Sequence, residues 1–167
     1  MIELLQMDPA APAIYVRPTP RELLTWKGRA TALLVAIACL GVLVIAAKLN
    51  PSKNGLGSHG QLGLQACQFE SQTGIPCPTC GMTTSFAHFV RGQIPASLWV
   101  QPMGTVLAVL TTMAFWGGLY IALTGRPAYR LLNLIPGKYI LWPLLVFGVF
   151  AWAWKIAIHV TGHDGWG

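Results

Sequence analysis

Residues 30–47, ATALLVAIACLGVLVIAA, contain no charged side chain and just meet the length a helix needs to cross a bilayer. Two further runs share that character: MGTVLAVLTTMAFWGGLYIAL, from about residue 103 to 123, and YILWPLLVFGVFAWAWKIAIHV, residues 139–160. Lys155 is the formal charge in the third run, close to its far end. A lysine there can reach headgroups by snorkelling, which reads it as an anchor. Trp99, Trp142, Trp152 and Trp154 fall near the ends of runs, where amphipathic indoles prefer to sit.

Composition agrees. Of 167 residues, 54% are apolar and only 10% charged, a balance that would leave a water-soluble protein hard to keep dispersed. The length suits one domain. A net charge of +6 raises a nucleic-acid reading, but the 11 Lys and Arg residues are scattered at the edges of apolar runs. No basic stripe or RNA-type aromatic motif accompanies them. Basic residues flanking spans serve membrane topology instead, and nucleic acid is set aside as a partner.

The segment before the first span is long for the n-region of a signal peptide, and the apolar run exceeds a typical h-region. That span is therefore expected to stay in the membrane. Thr19 as cap, Pro20 at the first helical position and Glu22 closing a capping box predict a helix leading into it. The opening residues, MIELLQMDPAAPAIY, show no sustained period and are expected to form a loose arm. Arg17, Arg21, Lys27 and Arg29 precede the first span, and Arg126, Arg130 and Lys138 separate the second from the third. The longer segment between the first two spans carries Lys48, Lys53 and Arg91. This asymmetry places the N-terminus in the cytoplasm, with the long segment and the C-terminus outside an inner (cell) membrane.

Between the first two spans the sequence turns polar. NPSKNGLGSHGQLG is turn-rich and irregular. Further on, Met82, Phe86, Phe89 and Val90 recur at helical spacing, with Thr83, Thr84, Ser85, His88 and Arg91 on the other faces. This predicts a short amphipathic helix stopped by Gly92, lying against the membrane surface or on the bundle. A second helix is expected to begin near Ile94 and Pro95 and run into the second span. Pro102 should bend it, with Gln101 as a polar group near the interface.

The same segment carries Cys67-Gln-Phe69, then Thr73-Gly74-Ile-Pro76-Cys77-Pro78-Thr-Cys80-Gly81-Met82-Thr83. This constellation resembles the bacterial membrane-protein family known as domain of unknown function 2752, over roughly residues 64–123. Two positions depart from that family's usual pattern. Thr84 stands where an arginine usually follows Gly-Met-Thr, and Gln101-Pro102 stands where Asn-Pro usually precedes the span. The resemblance implies a small multi-span membrane protein and carries no established activity.

Cys39 lies inside the first span, where a thiol behaves as a small apolar residue. Cys67, Cys77 and Cys80 are the candidates for chemistry, catalytic or metal-binding, and three chemistries compete. A disulfide from Cys67 to Cys77 or Cys80 would contribute about 3 kcal/mol in the chain-entropy picture, pinning the segment and leaving one cysteine over. Thiol exchange follows if Cys77 caps the amphipathic helix and Pro78 is its first residue. Cys80 then falls in the first turn, where amides stabilise a thiolate, and Cys67 serves as shuttle partner. That chemistry is similar to the one used by quinone-linked membrane thiol oxidases, although no thioredoxin-like βαβ pattern is present.

Three thiolates plus a histidine would suit tetrahedral zinc. His88 is too far along the expected helix, about 12 Å beyond Cys80 at ~1.5 Å per residue. His59 on its loop could swing in, and His159 or His163 could approach from the outer end of the third span. Cys67, Cys77, Cys80 and His59 are therefore the metal candidates, and zinc is the one cofactor considered. No phosphate-binding Gly loop, His-Glu-x-x-His or Ser-His-Asp order is present, and the 5 acidic residues leave little scope for paired-carboxylate catalysis. Glu70 could act as a base in thiol exchange, though a solvated loop carboxylate is the plainer reading. Gly117-Gly118 and Thr111-Thr112 offer a small-residue face for helix packing.

The expected architecture is an all-α integral membrane protein, with three transmembrane helices plus a short amphipathic helix in the Cys-containing loop. Its parcels are 1–29 (arm and lead-in), 30–47 (first span), 48–97 (Cys loop), 98–123 (second span), 124–138 (short basic loop), 139–160 (third span) and 161–167 (tail). The expected role is a structural or accessory membrane component, its Cys-x-x-Cys loop pinned by a disulfide, in contact with lipid and another membrane protein. The alternative is thiol–disulfide exchange, or a Cys-liganded metal site, centred on Cys77 and Cys80.

Overall fold

The computed structural model describes residues 23–63, 65, 67–126 and 137–164, without the side chain of His59. The N-terminal arm, the Thr19–Glu22 capping box, Arg17, Arg21 and Arg130 lie outside the described residues. Every helix or strand assignment among the described residues is helical: α1 (Trp26–Lys48), a 3-10 turn (Ser58–Leu62), α2 (Gln68–Thr73), α3 (Met82–Val90), α4 (Ile94–Val100), α5 (Pro102–Thr124) and α6 (Lys138–Val160). Helices α1, α5 and α6 are apolar and long enough to cross a membrane. Large apolar side chains such as Leu34, Trp116 and Val149 remain exposed on them, a surface that contacts lipid.

Helices α1 and α5 form the antiparallel central pair. Lipid tails are as apolar as leucine, so helices associate in a bilayer through close packing, which favours small residues at the contact. Gly118 supplies that here: a Cβ at this position would lie 2.8 Å from the Ala32 carbonyl oxygen and 3.2 Å from the Ala36 Cβ. Gly117 faces open space, so only one glycine of the pair serves the contact. Thr111 and Thr112 donate back to Leu107 O and Ala108 O within their own helix, at 2.7 and 2.9 Å.

Arginines close both ends of this pair. Arg29 of α1 donates from Nε to Ala122 O at 2.9 Å and from a terminal nitrogen to Leu123 O at 3.2 Å, satisfying carbonyls at the end of α5. Arg91, just past α3, donates to Ala47 O and Leu49 O at 3.1 and 2.7 Å, doing the same for α1.

Helix α3 ends as expected, with Gly92 left-handed at φ 75°, but it lies the other way round. Its buried residues are Thr84, Ser85, Ala87 and His88, while Met82, Phe86, Phe89 and Val90 are only half-buried. Met82 and Phe86 join Val42, Ile45, Leu49 and Leu62 along an open apolar groove. The polar face turns inward because its hydroxyls find partners there. Ser85 Oγ lies 2.9 Å from Ser97 Oγ and 3.2 Å from Thr105 Oγ1, and Ser97 Oγ lies 2.7 Å from Thr105 Oγ1. Thr84 Oγ1 meets Ser58 Oγ at 2.8 Å, tying the 3-10 turn to α3.

The expected bend at Pro102 is a full break. Gln101 is extended at φ −160°, ψ 99°, so α4 and α5 are separate helices. A proline disfavours helical geometry in the residue before it, which accounts for the break falling at Gln101. Lys155 is likewise no headgroup anchor. It is fully buried and its Nζ pairs with Asp164 Oδ1 at 3.0 Å, while His159 Nδ1 lies 2.6 Å from Asp164 Oδ2. A counter-charge four residues past the helix end makes burial of the ammonium tolerable.

Helix α6 joins the bundle through its last turns. Trp154 meets Trp99 edge-on, with ring centroids 5.3 Å apart, and donates from Nε1 to Trp99 O at 3.0 Å. Trp99 Nε1 in turn donates to His163 O at 3.0 Å. Of the four tryptophans expected at the interface, Trp142 stays exposed, while Trp99, Trp152 and Trp154 hold backbone carbonyls.

Candidate functional site

The three cysteines outside the apolar helices come from two short stretches. Cys67 stands at the N-cap of α2, which Gly74 ends. Cys77 to Cys80 then form a turn closed by Cys80 N–H donating to Cys77 O at 2.9 Å. Gly81 follows at φ 84°, where a Cβ would lie 2.9 Å from Gly55 O and 3.3 Å from Val100 Cγ1, so both conformation and space call for glycine. Helix α3 starts only at Met82. The expectation that Cys77 caps that helix and that Cys80 sits in its first turn is therefore corrected: the turn precedes the helix.

Three side chains line this turn, two from α6 and one from the α4–α5 break. Trp152 Nε1 of α6 donates to Pro76 O at 3.0 Å, and Gln101 Nε2 donates to Pro78 O at 2.9 Å. Lys155 runs beneath Gly81, its Cε 3.5 Å from where a Cβ would be. Gln101 is fully buried, and its Oε1 has no hydrogen-bond partner among the described residues.

The sulfurs of Cys67, Cys77 and Cys80 all lie within 4.8 Å of one another. Cys77 and Cys80 approach to 3.0 Å, and Cys77 Sγ lies 3.2 Å from Thr79 Oγ1. Cys80 is buried, whereas Cys67 and Cys77 are half-buried. All are free thiols, well beyond an S–S bond of about 2.05 Å. The expected disulfide is thus absent among the described residues, and the hydrogen bonds to Pro76 O and Pro78 O restrain the loop instead.

The two thiols of the turn differ electrostatically. Burial pushes the Cys80 thiol well up, and its neighbours Cys77 and Cys67 push it the same way. Burial acts upward on Cys77 too, but hydrogen bonds from Cys80, Thr79 and Cys67 outweigh it and bring that thiol down to about 7. Of the two, Cys77 is the sulfur that carries charge first.

No described histidine side chain joins the cluster. His88 Nδ1 lies 2.6 Å from Gln93 Oε1, His159 faces Asp164, and His163 Nδ1 meets Thr161 O at 2.8 Å. The side chain of His59 lies outside the described residues, and Cys39 sits apart within α1. Glu70 is the residue that sequence reasoning undervalued. It is half-buried, and Cys80 Sγ donates toward its Oε2 across 3.9 Å. The signal was its spacing: Cys67-x-x-Glu70 repeats the gap of Cys77-x-x-Cys80.

Fold and site together define a class: a three-span helical membrane protein with a cluster of three thiols at one end of the bundle. The family model described as "Protein of unknown function (DUF2752)" matches residues 67–115, bearing out the resemblance carried by the cysteine run. The match takes in all three clustered cysteines, Glu70, α3 and α4, and leaves α1 and α6 outside it. No curated protein and no solved structure matches the chain.

Proposed function

We propose that this is a membrane-embedded metal–thiolate protein in which Cys67, Cys77 and Cys80 bind one ion, Zn²⁺ by the chemistry of the donors. One observation carries the reading: three sulfurs from two separate stretches converge within 4.8 Å with no S–S bond among them. Zn–S bonds of about 2.3 Å arranged tetrahedrally set sulfurs about 3.8 Å apart, so this cluster needs shifts of roughly 1 Å or less. Thiolates favour soft or borderline ions over Mg²⁺ and Ca²⁺. The ion would do what a disulfide was expected to do, knitting α2 to the Cys77–Cys80 turn in an accessory membrane component.

The orientation belongs to the same proposal: the sulfur end faces away from the cytoplasm. Lys27, Arg29, Arg126 and Lys138 cluster at the opposite end of the bundle, which the positive-inside rule assigns to the cytoplasm. At the sulfur end stand Lys48, Lys53, Arg91 and Lys155, with Arg91 held by α1 carbonyls and Lys155 by Asp164, and the excess on the opposite side comes from Arg17, Arg21 and Arg130 in the sequence. Labelling intact, metal-stripped cells with a membrane-impermeant maleimide checks it. Labelling only after the cells are opened would reverse the orientation.

The test of the metal reading is cobalt titration of the full chain, purified in detergent and stripped of metal. A near-ultraviolet thiolate-to-cobalt charge-transfer band should saturate at one equivalent and lose about a third of its intensity in each of Cys67→Ser, Cys77→Ser and Cys80→Ser. No band sinks the reading.

A second reading rests on the 3.0 Å contact between Cys77 and Cys80, closer than two ligands of one ion. The Cys77 thiolate would attack a substrate disulfide and release one substrate thiolate. Cys80, giving up its proton, would then displace the other, leaving a Cys77–Cys80 disulfide and a reduced substrate. Cys80→Ser would in that case retain substrate as a mixed disulfide on Cys77, which simple metal binding does not produce.

A further inference from the structure

We propose that Glu70 is the fourth ligand of this site, so that the coordination sphere is closed by protein atoms alone. The inference rests on the metal reading above and adds what completes the sphere. Glu70 is the third residue of α2 and Cys67 is its N-cap, two positions whose side chains meet at the start of a helix. Cys77 and Cys80 repeat the gap across their turn. The donor set is Cys67-x-x-Glu70 with Cys77-x-x-Cys80, the paired spacing of four-ligand zinc sites with one thiolate replaced by a carboxylate.

One distance carries the assignment: Glu70 Oε2 is 3.9 Å from Cys80 Sγ. A tetrahedral zinc with one oxygen and three sulfur ligands sets sulfur and oxygen about 3.6 Å apart, so that contact already fits, and the carboxylate must swing toward Cys67 and Cys77, whose sulfurs cluster with Cys80 without it, to complete the set. The competition is weak as well. The described histidine side chains are turned to Gln93, Asp164 and the Thr161 carbonyl. The two described ion pairs both use Asp164, leaving the Glu70 carboxylate directed at Cys80.

The consequence is functional. A site with three protein ligands keeps a position for water or substrate, whereas one with four is a structural clasp. Binding moves no electrons: each protonated thiol loses its proton to solvent as its sulfur meets the ion, and Glu70 enters as the carboxylate. The clasp then joins α2 to a turn already fixed by α6 and Gln101, which brings the loop under the control of metal supply.

The experiment compares the full-length protein with Glu70→Gln and Glu70→Cys, all in detergent, titrated with Co²⁺ and then displaced with Zn²⁺. Glu70→Gln should keep the three-thiolate charge-transfer band but weaken Co²⁺ binding by about tenfold or more, with altered visible d–d bands. Glu70→Cys should gain charge-transfer intensity by about a third, because a fourth thiolate enters the sphere. That gain cannot come from a poorly folded variant. If the parent protein shows no charge-transfer band, the metal reading itself fails. If the parent shows the band while Glu70→Gln binds with unchanged affinity and Glu70→Cys gains nothing, the sphere is open and only this inference is overturned.

Discussion

At one end of the bundle Arg29 reaches across to the last carbonyls of α5, and at the other Arg91 reaches across to the last carbonyls of α1. The device is the same, since helix ends at a membrane leave carbonyls that need donors. Around Arg29 the described residues add the bond Leu24 N–H to Gly125 O at 2.8 Å and an exposed Thr124 hydroxyl that donates to Tyr120 O and accepts from Arg126 N–H. Around Arg91 it adds a buried hydroxyl cluster, the Lys155–Asp164 pair, three indole N–H bonds to carbonyls and the sulfur cluster. Polar groups buried at this density are costly unless partners are found for them, and among the described residues the Arg29 end buries none of this kind. Among the described residues, buried polar side chains therefore gather at the sulfur end.

The comparison breaks most severely at the buried ion pair. Asp164→Ala leaves the Lys155 ammonium buried without its counter-charge and should cost about 3–5 kcal/mol, read as a fall in the thermal unfolding midpoint in detergent. An unchanged midpoint would mean that Lys155 escapes to solvent and that this end is less tightly built than described. Gly81→Ala comes next, because it sets a Cβ against Gly55 O in a left-handed backbone. A loss of about 1–3 kcal/mol is expected, together with weaker cobalt binding as the cysteine turn shifts.

The metal-free sulfurs give a sharper, chemical measure. The thiolate is the reactive form, so alkylation of Cys77 by iodoacetamide should rise about tenfold between pH 6 and pH 8 and level off above its value near 7. Cys80, pushed the other way, should stay slow across that range. Equal profiles for the two would remove the asymmetry between them. Smallest of all, Arg29→Gln should cost about 1 kcal/mol and leave cobalt affinity untouched, since it removes a cap at the plain end only. A change in metal binding there would show that the two ends are coupled.

Much of this was legible from residues alone. Apolar runs long enough to span a bilayer dictate helices whatever their neighbours are, and Gly92 stops α3 where its left-handed backbone suits glycine. The orientation of α3 was not legible. Periodicity shows that Met82, Phe86 and Phe89 share a face, but in a membrane the apolar face can meet lipid while Ser85 and Thr84 satisfy one another inside. Lys155 was misread for a related reason, since its partner Asp164 lies beyond the apolar run and only the chain's turn at Thr161–Gly162 brings the two together. The disulfide expectation rested on loop-closure arithmetic that knows nothing of hydrogen bonds to Pro76 and Pro78. Glu70 was visible as a spacing, yet a carboxylate three residues from a cysteine means little until a second pair is folded against it.

Sequence by itself determined that this chain has three segments able to cross a bilayer and one stretch rich in sulfur, because length, apolarity and residue type are local properties. Only the tertiary structure decided which way the polar faces turn, that a lysine is buried, and that residues 67, 70, 77 and 80 share one small space. Those are outcomes of packing between segments far apart in the chain, where satisfying each buried polar group depends on what the fold brings to meet it.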